Sequence, residues 1–115
     1  MLDEALLARL IAEYDPPDVS GFGVGGSFAR GDATRYSDID VLRFVRAGER
    51  GAEMRYVEGK LLSLSTVTTE HYRAQFSPPM EVIWVIPMLR RMRIVLDREG
   101  ELARLQLDAE LFEWE

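Results

Sequence analysis

Two carboxylates that straddle one apolar residue, Asp38-Ile39-Asp40, follow the turn Gly25-Gly26-Ser27 after a spacer of ten residues that contains Arg30. Side chains alternate along a strand, so an extended 38–40 would put both aspartates on one face, about 7 Å apart at Cα. Aspartate is disfavoured in strands, and two of them at a strand start have two readings. One is a solvated strand end. The other is a hard-cation site. Magnesium takes oxygen ligands at about 2.0–2.1 Å, usually one or two carboxylates together with substrate phosphates and waters. A pair of ions about 3.5–4 Å apart can hold both the attacking and the leaving oxygen of a phosphoryl displacement. The glycines also have two readings. Gly25 and Gly26 permit positive φ and close backbone approach, and Ser27 adds a hydroxyl. That is either an ordinary strand-to-helix turn or a phosphate cradle, with the amides that follow pointing outward. Arg30, one turn on, is either solvated or within reach of a phosphate oxygen.

A second glycine pattern competes with this reading. Gly21-Phe22-Gly23-Val24-Gly25-Gly26 satisfies Gly-x-Gly-x-x-Gly. A dinucleotide site needs those glycines after a strand and at the start of a long helix. Here they fall inside a strand and the acidic pair follows too closely, so the dinucleotide reading is set aside.

Gly26-Ser27, the ten-residue spacer and Asp38-Ile39-Asp40 together resemble the signature of the DNA polymerase beta-like nucleotidyltransferase superfamily. The fuller strings, Gly-Ser-Phe-Ala-Arg-Gly-Asp and Ser-Asp-Ile-Asp-Val, are similar to its minimal nucleotidyltransferases and antibiotic-modifying adenylyltransferases. The close match spans residues 24–45. The resemblance implies an α/β (α+β) fold, a small mixed sheet flanked by helices with an open catalytic face. It implies transfer of a nucleoside monophosphate, AMP from ATP, to an acceptor hydroxyl. Gly26, Ser27, Arg30 and Ser37 would hold the nucleotide, and Asp38 and Asp40 would be the catalytic magnesium ligands. Minimal members often pair with a small helical toxin, in the role of antitoxin.

The same resemblance implies a third carboxylate on a neighbouring strand. The matching segment, 60–68, reads Lys-Leu-Leu-Ser-Leu-Ser-Thr-Val-Thr and holds no acid. Alternation puts Leu62 and Leu64 on one side, expected under the helices, and Ser63 and Ser65 on the other, expected open. Ser63, Ser65 or Glu58 then stands at the third-ligand position, Glu58 being alternatively a solvated turn residue. His71, the only histidine, is either a proton acceptor or a surface or packing residue. Two functions follow: an active transferase acting on a protein or small molecule, or a catalytically weakened nucleotide-binding or interaction module on the same fold. A small α/β domain with no nucleotide function is opposed by the central motif.

The elements that must position these residues read as follows. Leu6, Leu7, Leu10, Ile11 and Tyr14 recur at helical spacing over 3–14, which Asp3 can cap, and Asp15-Pro16-Pro17 ends that helix. Strands are expected over 19–24, 38–45, 54–58, 60–68 and 92–97, with a hairpin turn at 58–60. A helical turn is expected over 27–31, a polar loop over 32–37, and helices over 69–76, 80–90 and 101–109. Asp97 is read as the cap of the last helix. The segment 80–89 is apolar on most sides, and Leu111, Phe112 and Trp114 crowd the end of the chain. The first is expected to be an interface with a second subunit or a small helical partner, and the second to dock on its own domain, to meet such a partner, or to mark where a longer chain was cut.

The 115 residues suit one domain, 1–115, and 47% hydrophobic with 30% charged is an ordinary globular balance. The net charge of −6 argues against non-specific binding of nucleic acid or anionic membrane. It allows a nucleoside triphosphate if metal ions bridge the two negative charges. The absence of cysteine excludes disulfides, thiolate metal sites and cysteine nucleophiles. The acidic start, Met1-Leu2-Asp3-Glu4, does not suit a secretory signal. No apolar run reaches the ~18 residues of a membrane span. A cytoplasmic location is expected.

Overall fold

The computed structural model describes residues 4–14, 17–25, 38–48, 50–57, 59–76 and 82–113. Within them the elements run α1 (Glu4–Glu13), β1 (Val19–Gly25), β2 (Ile39–Val45), β3 (Gly51–Val57), β4 (Lys60–Val67), α2 (Thr69–Ala74), α3 (Val82–Arg91), β5 (Arg93–Asp97) and α4 (Glu101–Leu111). The five strands form one mixed sheet in the order β3-β4-β2-β1-β5. β2 and β4 are parallel and the other neighbours antiparallel. The hairpin between β3 and β4 closes with Val57 opposite Lys60, and Gly59 supplies the positive φ of 80° that such a turn requires. β3 begins at Gly51, earlier than its sequence suggests, because pairing with β4 extends it through a stretch with little β-propensity of its own.

Alternation along the strands gives the sheet two different faces. Phe22, Val24, Ile39, Val41, Leu62 and Leu64 form one, buried with Leu10 of α1. Leu42, Phe44 and Val67 belong to the other, buried with Tyr72 of α2, Val85, Ile86 and Leu89 of α3, and Leu102, Leu105 and Ala109 of α4. The expectation that the leucine face carries the helices is therefore only half right. Leu62 and Leu64 are buried, but among the described residues the helix on their side is α1, and the three later helices lie on the serine face. The bias arises because β1 is small on that side. A Cβ on Gly21 would lie 2.3 Å from the Leu96 carbonyl oxygen and 3.0 Å from Leu102, and one on Gly23 would lie 2.3 Å from the Met92 sulfur. The glycine run thus lets Met92 and α4 settle onto the strand.

Asp97 caps α4 as expected, accepting hydrogen bonds from the amides of Leu102 at 3.2 Å and Ala103 at 2.9 Å. Three residues of the apolar segment, Val85, Ile86 and Leu89, are absorbed by the domain's own core, while Trp84 stays 50% exposed. Phe112 packs edge-to-face on Phe76, and Arg90 donates to the carbonyls of Ala109 and Phe112 at 2.8 and 2.9 Å, which pins the end of α4. Leu111 is exposed, and Trp114 lies outside the described residues. Among the described residues no helix is long and apolar enough to cross a membrane.

Candidate functional site

Asp38 immediately precedes β2 and Asp40 is its second residue, and both are exposed. The register places Asp40 in a row that crosses the sheet. Gly25 of β1 pairs with Asp40, Asp40 with Ser63 of β4, and Ser63 with Met54 of β3. The next row on the same face is Gly23, Leu42, Ser65 and Ala52. Paired residues point to the same side of a sheet, so Ser63 stands beside Asp40 and Ser65 one row on.

Apart from Leu42 and Met54 the side chains of these rows are small, which makes them a floor rather than a core. Asp40, Ser63 and Ser65 line a cleft of about 330 Å³ whose wall is Tyr72, Trp84 and Met88. A second cleft of about 520 Å³ shares Ser65, Tyr72 and Trp84 with the first and includes Arg50, His71 and Gln75. Both volumes fall in the range that holds small ligands.

Electrostatics marks the Asp40 end. Partial desolvation at the cleft holds its carboxyl above the usual carboxylate range, and the negative charge of Asp38 raises it further. A carboxyl held up beside a second carboxylate suits a divalent cation, which relieves the repulsion and takes oxygen ligands. Among the described residues no three acidic or histidine side chains gather as a metal site, in keeping with the serines of β4. Gly26, Ser27, Arg30, Ser37 and Glu58 lie outside the described residues, as do the expected helical turn over 27–31 and the loop over 32–37.

The other end is built around His71. Its Nε2 is 3.1 Å from Arg50 Nη1 and 3.0 Å from Gln75 Nε2. Arginine can only donate, so Nε2 accepts and the imidazole is neutral with its proton on Nδ1. Burial, and then the Arg50 charge, lowers the His71 pKa below the usual 6.5. The lone pair that a proton acceptor would use is thus occupied by Arg50. Sequence reasoning passed over Arg50, Tyr72 and Gln75. Arg50 sits in a polar connection, and its alternation with Ala52 and Met54 is visible only once β3 is known to start at Gly51.

The sheet and helices define an α/β class seen in solved structures. The fold is similar to that of a nucleotidyltransferase-like protein from Exiguobacterium sibiricum 255-15, with a TM-score of 0.71 at 16% identity, over 96% of this chain and 39% of that one. The chain therefore spans 39% of the length of that protein. Residues 6–88 match the nucleotidyltransferase domain family, and the chain belongs to that family. The reaction class for which that family is named is nucleotidyl transfer. No curated protein matches the sequence.

Proposed function

We propose that the domain binds ATP over residues 25–40, with Asp38 and Asp40 as magnesium ligands, and transfers AMP to an acceptor hydroxyl on a protein or small molecule. The observation that carries this reading is the position of Asp40, between the end of β1 and Ser63 at the mouth of the cleft. β2 holds Asp40, with Asp38 immediately before the strand, and Gly25 presents no side chain where the chain leaves β1 toward Gly26 and Ser27. Those two residues, with Arg30 and Ser37, are the phosphate-holding candidates. Magnesium bound there would neutralise the triphosphate and lower the pKa of the acceptor hydroxyl. The hydroxyl oxygen bonds to the α-phosphorus, the bond to the bridging oxygen breaks, pyrophosphate leaves with the electron pair, and the hydroxyl proton passes to water.

Ser63 supports a second reading, a nucleotide-binding or interaction module with weakened catalysis. It stands where a carboxylate would complete the cation site, and a neutral hydroxyl is a poorer magnesium ligand than a carboxylate. Calorimetry and labelled ATP separate the two. Magnesium-dependent ATP binding is expected, abolished by EDTA and by Asp38→Asn/Asp40→Asn; equal affinity without metal overturns the site. Transfer is expected to be slow and to rise about 10²–10⁴-fold in Ser63→Asp, the range associated with a positioned base. Intact binding with no transfer in either protein leaves the module reading standing.

The reading extends to an antitoxin-like role in the cytoplasm, as a homodimer or with a small helical partner. The large apolar side chains that α3 and α4 leave exposed, Trp84, Leu107 and Leu111, support an association. A monomer by light scattering at high concentration, unchanged by any helical partner, opposes it.

A further inference from the structure

We propose that the acceptor carries an anionic group, a carboxylate or a phosphate, and that Arg50 receives it at the far end of the cleft from Asp40. This rests on the transfer reading above. β1 ends on one side of Asp40, while β4 and β3 lie on the other. An in-line displacement brings the acceptor in opposite the leaving pyrophosphate, so the cleft over β4 is the acceptor's side. Gly51 pairs with Thr66, which puts Arg50 level with Val67. From Ser63 to Val67 the strand rises on the order of 13 Å, less the reach of the arginine. An acceptor with its hydroxyl at Asp40 and its anion at Arg50 spans that length.

Two observations point to an anion. Arg46, Arg55 and Arg73 each pair with a carboxylate, whereas Arg50 donates to the neutral imidazole of His71 and has no carboxylate partner among the described residues. A guanidinium so placed keeps most of its donors for a bidentate oxyanion. The cluster is also incomplete without a ligand. Arg50 and Gln75 both aim an N–H at the single lone pair of His71 Nε2. An oxyanion that draws off Arg50 frees that lone pair for Gln75. The net charge of −6 opposes an anionic acceptor, and Arg50 is the local cation that offsets it. Between the two ends, Trp84 stands edge-to-face on Tyr72 with centroids 6.3 Å apart, an aromatic wall for the body of the molecule.

The test uses phenyl phosphate, benzoate and phenol as probes on the whole chain. The imidazole NMR signal is the reporter, unambiguous because His71 is the only histidine. Phenyl phosphate or benzoate is expected to shift that signal saturably, and the tighter of the two assigns the anion. Phenol is expected to bind at least about tenfold more weakly, and Arg50→Gln to weaken the anions by a similar factor, the loss of about one charge-assisted hydrogen bond. Asp40→Asn should leave the shift in place. The proposal is overturned if neither anion gives a saturable shift, if Arg50→Gln has no effect, or if Asp40→Asn alone abolishes binding. Magnesium–ATP calorimetry on the same sample is scored separately. Its failure removes the transfer reading. Loss of the Arg50-dependent shift with ATP binding intact removes only the anion site.

Discussion

The two faces of the sheet are made by the same strands and differ in almost every other respect. On one, Phe22, Val24, Ile39, Val41, Leu62 and Leu64 are large, branched or aromatic, and buried. On the other, beside the buried Leu42, stand Gly23, Gly25, Asp40, Ser63 and Ser65, all small or polar. The second face is covered at its β1 and β5 side by Met92 and α4 and left as a cleft over β2 and β4. A strand with period two can therefore hold the fold with one half of its residues and the site with the other. The site arises where large side chains are withheld, and three helices on the same face supply its wall.

The contrast is sharpest in stability. Leu64→Ala should cost about 2–5 kcal/mol by transfer and cavity terms, read as a lowered urea midpoint with unchanged slope. Ser65→Ala, one residue away, should stay within about 1 kcal/mol. Equal losses would mean that the serine face bears the fold as well. Gly23→Val tests the glycine floor. Its Cβ would meet the Met92 sulfur at 2.3 Å, and overpacking of this kind costs about 1–3 kcal/mol. A neutral result would show that Met92 swings away freely. The smallest effect is electrostatic. The folded pKa of His71 lies below its unfolded value, so the folded state binds fewer protons there. The stability this contributes is fully present above pH 6.5 and is lost as pH falls through the lowered folded value. By NMR the imidazole should titrate below 6.5, and Arg50→Gln should move it only part of the way back, because burial is the larger cause. A titration at or above 6.5 would place His71 in open solvent and dissolve the distinction between the two ends of the cleft.

Much of this was legible in the residues. The alternation of leucine and serine in 60–67 announces two unlike faces before any pairing is known. The spacing of Leu10, Ile11 and Tyr14, the Val/Ile/Phe content of β2, and Asp97 ahead of α4 each follow from local chemistry. What local chemistry does not contain is lateral order. That Ser63, and no acid, stands level with Asp40 on the neighbouring strand is a property of the β2–β4 register. Arg50, His71 and Gln75 come from three separate segments and share no spacing. Which face the later helices choose depends on Gly21 and Gly23, whose pattern in sequence suggests a nucleotide motif and whose effect is room for Met92 and Leu102.

Gly25 closes the same strand under different rules. Among the described residues a Cβ there would meet only the Asp40 Cβ, at an ordinary 3.9 Å, and its φ is not in the left-handed region. In a saturation library selected for folded protein alone, positions 21 and 23 should retain glycine while position 25 admits alanine and serine. A second selection, for nucleotide handling, would then read position 25 for chemistry by itself. One strand would carry two kinds of constraint, and the boundary between them would fall between Val24 and Gly25.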